Sequence, residues 1–285
     1  VSKTIEVSGR IGFMQGRLSP IFEGRIQIFP WSCWQQEFAA AEKLGFGLME
    51  WTLDQDRLYE NPLLTATGQA EIRALCERHK LRVSSLTGDC FMQAPFWKAE
   101  GARRDALQRD FIAVAEACAA VGIGAMVVPL VDNGRIDSAA QEDALVEFLQ
   151  TQAGFLASRK LQVVFESDYQ PAELARFIAR LDPDLFGVNY DIGNSASLEF
   201  DPAEEFSAYG DRILNVHVKD RVAGGTTVPL GTGNADFETV FAALGKRGYK
   251  GKYILQTARA ADNDHAGVLR RYRDMTIDWM TRHAA

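Results

Sequence analysis

The sequence predicts an α/β fold, a single (β/α)8 barrel domain over residues 1–285. Three observations carry that reading. Eight short apolar runs alternate with amphipathic stretches along the whole chain. Composition does not shift between the halves, which favours one barrel over two domains. The last four runs each end in a side chain able to ligate a cation, and the parallel strands of a barrel aim such ends at one face. A doubly wound sheet fits less well, because no glycine-rich phosphate fingerprint follows the first run.

In order, the predicted strands are IGFMQ from Ile11, GLMEW from Gly47, LRVSSL from Leu81 and GAMVVPL from Gly124. They continue with LQVVFE from Leu161, FGVNYD from Phe186, ILNVHV from Ile213 and KYILQT from Lys252. Most are rich in β-branched and aromatic residues, as strands buried on both faces are. Helical spacing fills the gaps. Phe38, Ala41 and Leu44 share a face, as do Phe111, Val114, Ala115 and Cys118. Leu145, Phe148, Leu149 and Leu156 repeat the pattern around a polar Gln152; so do Leu174, Phe177, Ile178 and Leu181, then Val240, Phe241 and Leu244. Val268, Leu269, Tyr272, Met275, Trp279 and Met280 mark the last helix. Gln170-Pro171 and Asp201-Pro202 read as caps followed by proline in the first turn, and Asp236 and Gly248 bracket another helix. Two connections stand out as long, TGDCFMQAPFWKAEGA after strand three and DRVAGGTTVPLGTGNAD after strand seven. Both fall on the expected C-terminal face, where long loops tend to be functional.

Composition narrows the function. A hydrophobic share of 47% and a charged share of 24% suit a globular domain with a sizeable core, and the formal net charge of −7 offers no basic face for nucleic acid. No run approaches the length of a membrane span, and VSKTIEVSGR lacks a signal-peptide core. The four cysteines, Cys33, Cys76, Cys90 and Cys118, have no CxxC spacing and read as buried free thiols. A reducing cytoplasm is the expected location.

The chemistry lies at the strand ends. Glu166, Asp191, His217 and Gln256 close runs five to eight, and together offer oxygen and nitrogen donors to one divalent cation. Singly, each has an ordinary explanation as a salt-bridge partner or a hydrogen-bonded core residue. Four at equivalent strand ends are harder to assign to chance.

IGFMQGRLSP, FES, YDIGN, HVKD, PLGTGNADF and YILQTAR, spread over nearly the whole chain, resemble the xylose-isomerase-like barrel proteins. That superfamily includes sugar and sugar phosphate isomerases and epimerases, inosose dehydratase and, more distantly, endonuclease IV. The resemblance implies one divalent ion (Mn, Co, Zn or Mg) on the residues matching Glu166, Asp191, His217 and Gln256. Family epimerases use the glutamates of strands five and eight as paired acid–base groups; Gln256 departs from that pattern, since an amide can ligate but cannot take a proton. Glu166 is then the expected base, with single-base chemistry expected unless Lys219 or Glu50 serves the second face. The endonuclease branch is disfavoured, because strands three and four end without histidines and His79, His265 and His283 lie in ordinary surface contexts.

Other candidates follow by position. Gln15 and Arg17 follow strand one, a guanidinium suiting a phosphate or carboxylate, with a surface salt bridge as the alternative. Glu50 ends strand two, facing sugar hydroxyls or pairing with Arg17. Asn194 is placed to orient a ligand. Lys219, two residues past His217, points to the same side and is a candidate catalytic cation, whereas Asp220 points away. Arg259 is a second anion-binding candidate. Trp97, with Phe96, either covers an apolar sugar face or is an ordinary buried aromatic. The expected activity is a metal-dependent isomerisation or epimerisation of a small ketose, ketose phosphate or related polyol through an enediolate. The alternatives are an inosose-type dehydratase on the same site and a non-catalytic sugar-binding barrel. The expected partner is a sugar or sugar phosphate, without nucleic acid or membrane; a homodimer is an expectation from family analogy alone.

Overall fold

The computed structural model describes residues 8–284. Residues 1–7, which hold most of the segment read as lacking a signal-peptide core, and residue 285 lie outside the described residues. Eight parallel strands close a barrel: β1 (Ile11–Met14), β2 (Leu48–Thr52), β3 (Arg82–Thr87), β4 (Ala125–Leu130), β5 (Gln162–Ser167), β6 (Phe186–Asp191), β7 (Ile213–Val218) and β8 (Lys252–Leu255). Each pairs with its sequence neighbours, and β8 closes on β1. Each coincides with a predicted run, with β2, β3 and β5 continuing one residue further to Thr52, Thr87 and Ser167. A short run that is apolar on both faces is stable between a barrel interior and a helix layer.

The helices bury the predicted faces. Helix Gln36–Leu44 buries Phe38, Ala41 and Leu44, and helix Gly101–Val121 buries Phe111, Val114, Ala115 and Cys118. Asp201 caps its helix by accepting from the Ala203 N–H at 2.8 Å, and Asp236 accepts from the Thr239 N–H at 3.0 Å. Gly248 takes the left-handed conformation (φ 62°) just beyond helix Phe237–Lys246, as the predicted stop requires. The four cysteines are free. Among the described residues no helix is long and apolar enough to cross a membrane.

Strand alternation decides what faces the barrel axis. Phe165 and Tyr190 point outward onto Phe177 and Phe206, with ring centroids 5.1 Å apart in each pair. Their neighbours Glu166, Asn189 and Asp191 therefore point inward. Register slips after Met49 and after Val188, so that Glu50 pairs with Ser85, and Asn189 and Asp191 pair with Asn215 and His217.

The connections depart from expectation in one respect. The segment between Met14 and Gln36 is as extended as the two anticipated long loops and also reaches the C-terminal face. Its apolar residues Phe29 and Trp34 are buried, so composition alone does not mark it as a long loop. Asp220 is structural, as its outward direction implied: its carboxylate accepts from the N–H groups of Gly231 and Gly233 at 2.8 and 2.9 Å and of Ala235 at 3.1 Å, pinning the long loop after β7.

Candidate active site

A cavity of about 470 Å³ opens at the C-terminal end of the barrel, lined by residues at or beyond the ends of all eight strands. Its floor is a polar cluster centred on His217, which is fully buried. His217 Nε2 lies 2.7 Å from Glu50 Oε1. Nδ1 faces the other way, 3.1 Å from Glu166 Oε2 and 3.7 Å from Asp191 Oδ2. Ligand atoms of Glu166, Asp191 and His217 all lie within 4.8 Å of one another.

This triad fits a divalent cation. Asp191 Oδ2 is buried and receives no aligned hydrogen bond, its partners being the charges of Lys219 Nζ at 2.7 Å and the imidazole. Burial alone would pull the His217 imidazolium down, yet Glu50, Asp191 and Glu166 hold it well above the usual histidine range. A field that favours a proton on Nδ1 equally favours a metal ion there. Gln256, the fourth expected ligand, turns Oε1 toward the Asp191 side of the cluster, where Lys219 Nζ donates to it at 2.9 Å.

Glu50 corrects the expectation of a substrate contact. It is fully buried below the cavity, and it contacts neither the cavity nor Arg17. It accepts from Ser85 Oγ (2.6 Å), Thr87 Oγ1 (2.5 Å) and Asn215 Nδ2 (3.1 Å), while holding His217. Burial would raise its pKa, but His217 and the two hydroxyls outweigh that and lower it. An ionised Glu50 fixes the imidazole hydrogen on Nε2 and leaves Nδ1 free to ligate. Asn189, which the sequence reading passed over, tightens the same cluster, with Nδ2 3.0 Å from His217 Nδ1 and 3.2 Å from Glu166 Oε2. Its signal was its place two residues before Asp191.

Above the floor, Glu166 uses its two oxygens differently. Oε2 faces the cluster, and Oε1 accepts from Asn194 Nδ2 at 2.5 Å. Arg221 Nη1 donates to Asn194 Oδ1 at 2.8 Å and so orients that amide. Gly193 permits the close approach of the chain after β6, since a Cβ there would lie 2.7 Å from Lys219 Cγ.

The remaining expectations divide. Arg17, Asn194 and Lys219 line the cavity. Arg17 donates to the carbonyls of Thr257 and Ile26 at 2.9 Å; burial and Arg259 lower its pKa to about 9, leaving it charged near neutral pH. Gln15, Trp97 and Arg259 do not line the cavity. Gln15 is fully buried, its Oε1 accepting from the Thr52 N–H at 3.1 Å. Trp97 is buried with Nε1 donating to Gly134 O at 3.1 Å, and Phe96 packs on Phe148 with centroids 4.7 Å apart; both aromatics turn inward because the helices beneath offer more apolar contact than the wet cavity. Arg259 donates to the carbonyls of Gly16 and Ser19 and staples the first loop. That loop is also held by buried Glu37, which accepts from the Gly16 and Leu18 N–H groups at 2.9 Å. Sequence reasoning missed Gln27, Asp54 and Asp89, all on the cavity wall. Asp89 stood in the flagged loop after β3, but a lone Asp there resembles any turn residue.

L-ribulose-5-phosphate 3-epimerase of Escherichia coli (strain SMS-3-5 / SECEC) is 27% identical over 256 residues, covering 85% of this chain and 88% of that protein. The zinc-bound crystal structure of the IolI protein superposes with a TM-score of 0.76 at 15% identity, covering 97% of this chain and 99% of the other. D-psicose 3-epimerase from Clostridium cellulolyticum H10, solved with D-tagatose, gives a TM-score of 0.73 at 12% identity, covering 97% and 100%. The family profile of the xylose isomerase-like TIM barrel matches residues 38–275, and with that match the chain belongs to this family.

Proposed function

We propose that this protein is a sugar or sugar phosphate isomerase or epimerase that moves a proton at the carbon beside a ketose carbonyl. The observation that carries the reading is the convergence of Glu166, Asp191 and His217 on the floor of a polar cavity. Support also comes from the ketose phosphate epimerase relative, which matches most of this chain.

Glu166, Asp191 and His217 would hold one divalent ion, with Gln256 as the fourth expected ligand. Such an ion supplies Lewis acidity, polarising a carbonyl and the adjacent hydroxyl and making the C–H between them acidic. The zinc-bound neighbour supports that assignment by fold analogy only. The protein groups do the rest. Glu166 takes the proton, its Oε1 held at the cavity wall by Asn194. The C–H electron pair becomes the C=C of an enediolate, and the carbonyl π pair moves onto oxygen. Lys219, beside Asp191 and Gln256, places a cation where that negative charge develops. Arg17 offers a second charge suited to a substrate phosphate.

Deuterium uptake tests the reading. L-ribulose 5-phosphate and unphosphorylated ketoses are incubated in D2O with Mn2+, with and without chelator. Exchange beside the carbonyl, suppressed by chelator and lowered about 10²–10⁴-fold in Glu166→Gln, is expected. Absence of exchange with every ketose, or undiminished exchange in Glu166→Gln, overturns the reading. Loss of substrate mass by one water would instead identify the dehydratase alternative.

A further inference from the structure

The site as described has one carboxylate base, since the strand-eight position carries Gln256. We propose that Asp89 is a second acid–base residue of this cavity, serving the face of the substrate carbon opposite Glu166 and making the reaction an epimerisation. The proposal rests on the isomerase or epimerase reading above.

Asp89 lies just beyond β3, and its carboxyl lines the same cavity as Glu166 on β5. One side chain, Gln27, ties it to the position that lacks a carboxylate. Gln256 Nε2 donates to Gln27 Oε1 at 3.0 Å, and Gln27 Nε2 donates to Asp89 Oδ2 at 2.8 Å. Arg17 Nη2 fixes the same Gln27 oxygen at 3.3 Å. Asp89 is thus oriented by an amide that itself cannot take a proton.

The other two candidates for the second face are committed elsewhere. Glu50 is sealed beneath His217, and Lys219, beside Gln256, is the cation assigned to the developing enediolate charge. The groups acting on Asp89 are Asp54 after β2, Glu166 on β5 and Arg17 after β1. Burial, then Asp54 and Glu166, raise its carboxyl to about 7 against the pull of Gln27 and Arg17, so both protonation forms are present near neutral pH.

The step balances as follows. Glu166 carboxylate removes the proton from one face; the C–H pair forms the enediolate double bond. The O–H of protonated Asp89 then breaks as its proton passes to the opposite face of that carbon. The enediolate pair forms the new C–H bond, the carbonyl is restored and the configuration is inverted. Glu166 is left protonated and Asp89 ionised, and exchange with water at the cavity mouth resets both.

The experiment compares wild type, Asp89→Asn and Asp89→Glu on L-ribulose 5-phosphate and D-tagatose in D2O with Mn2+. It reads deuterium at the carbon beside the carbonyl and inversion of that carbon separately, with melting curves as a fold check. Asn retains the acceptor for Gln27 but carries no acid. Asp89→Asn should lose about 10²-fold or more in inversion while exchange by Glu166 stays within about tenfold of wild type. Asp89→Glu, which keeps an acid but displaces it by one methylene, should invert faster than Asp89→Asn yet with a lower ratio of inversion to exchange than wild type. If the Asn variant fails to fold, that ratio decides the matter, and an unchanged ratio overturns the role of Asp89. Equal inversion in Asp89→Asn and wild type, equal loss of exchange and inversion, or wild-type exchange without inversion each overturns the role of Asp89 but leaves the isomerase reading standing. No exchange in wild type overturns both.

Discussion

The floor and the rim of the cavity are built on different principles. The floor is strand-borne: Glu50, Glu166, Asn189, Asp191 and His217 sit on β2, β5, β6 and β7, buried and interlocked by hydrogen bonds. The rim is borne on connections: Arg17, Gln27 and Asp54 lie in loops after strands and Asp89 opens the short helix Asp89–Gln93 after β3, with amides and backbone groups holding them. A buried polar network must be satisfied almost completely or it destabilises the fold, so each floor residue has one available place. The rim side chains Arg17, Asp54 and Asp89 are buried too, but they hang on connections and lie outside the barrel's strand ladder. The floor gathers the donor cluster, and the rim gathers the charged groups above it.

The largest effect is expected in the floor. Glu50→Gln removes the negative charge that holds the His217 hydrogen on Nε2, and Mn2+ affinity by calorimetry should fall about 10–100-fold. Unchanged affinity would mean that Glu50 is a space-filling core group and that floor and rim do not differ as argued.

Gln256→Glu sharpens the comparison from the boundary between the two regions. A third carboxylate beside Asp191 should tighten Mn2+ binding by about tenfold, or ~1.4 kcal/mol. Weaker binding would mean that the new carboxylate instead locks Lys219 in place. In the loop after β3, Trp97→Phe removes the donor to Gly134 O. It should cost about 1 kcal/mol in chemical denaturation, and KM should not change. A raised KM would return Trp97 to the cavity.

The smallest effect concerns pH. Burial raises Glu37 to about 7 in the folded protein against an ordinary value near 4.5. The folded state therefore holds this proton more tightly, and the stability it contributes is full below pH 4.5 and lost as pH rises through 7. Glu37→Gln should decline less than wild type in unfolding free energy between pH 5 and 7.5. Parallel curves would show that the first loop is not anchored by a protonated carboxyl.

What the sequence reveals follows the same division. A strand buried on both faces leaves an apolar run, and a polar residue at its end is conspicuous. That contrast made Glu166, Asp191, His217 and all eight strands legible. Direction was legible where alternation applies, as for Lys219 and Asp220. The functions of Glu50, Trp97 and Arg259 were not, because depth below a cavity and the turn of a loop are set by tertiary packing, not by local pattern. Gln27 and Asp89 left no local trace: their meaning lies in a chain of hydrogen bonds joining β1, β3 and β8 connections far apart in sequence.

The central claim is that Glu166, Asp191 and His217 form a divalent-cation site. Crystals soaked in Mn2+ and measured for anomalous scattering test it most directly. The account predicts one strong peak within about 2.0–2.3 Å of a carboxylate oxygen of Glu166, a carboxylate oxygen of Asp191 and His217 Nδ1, with Lys219 Nζ moved away from Asp191. A peak elsewhere, or none at saturating Mn2+ with the Lys219–Asp191 pair intact, would contradict it.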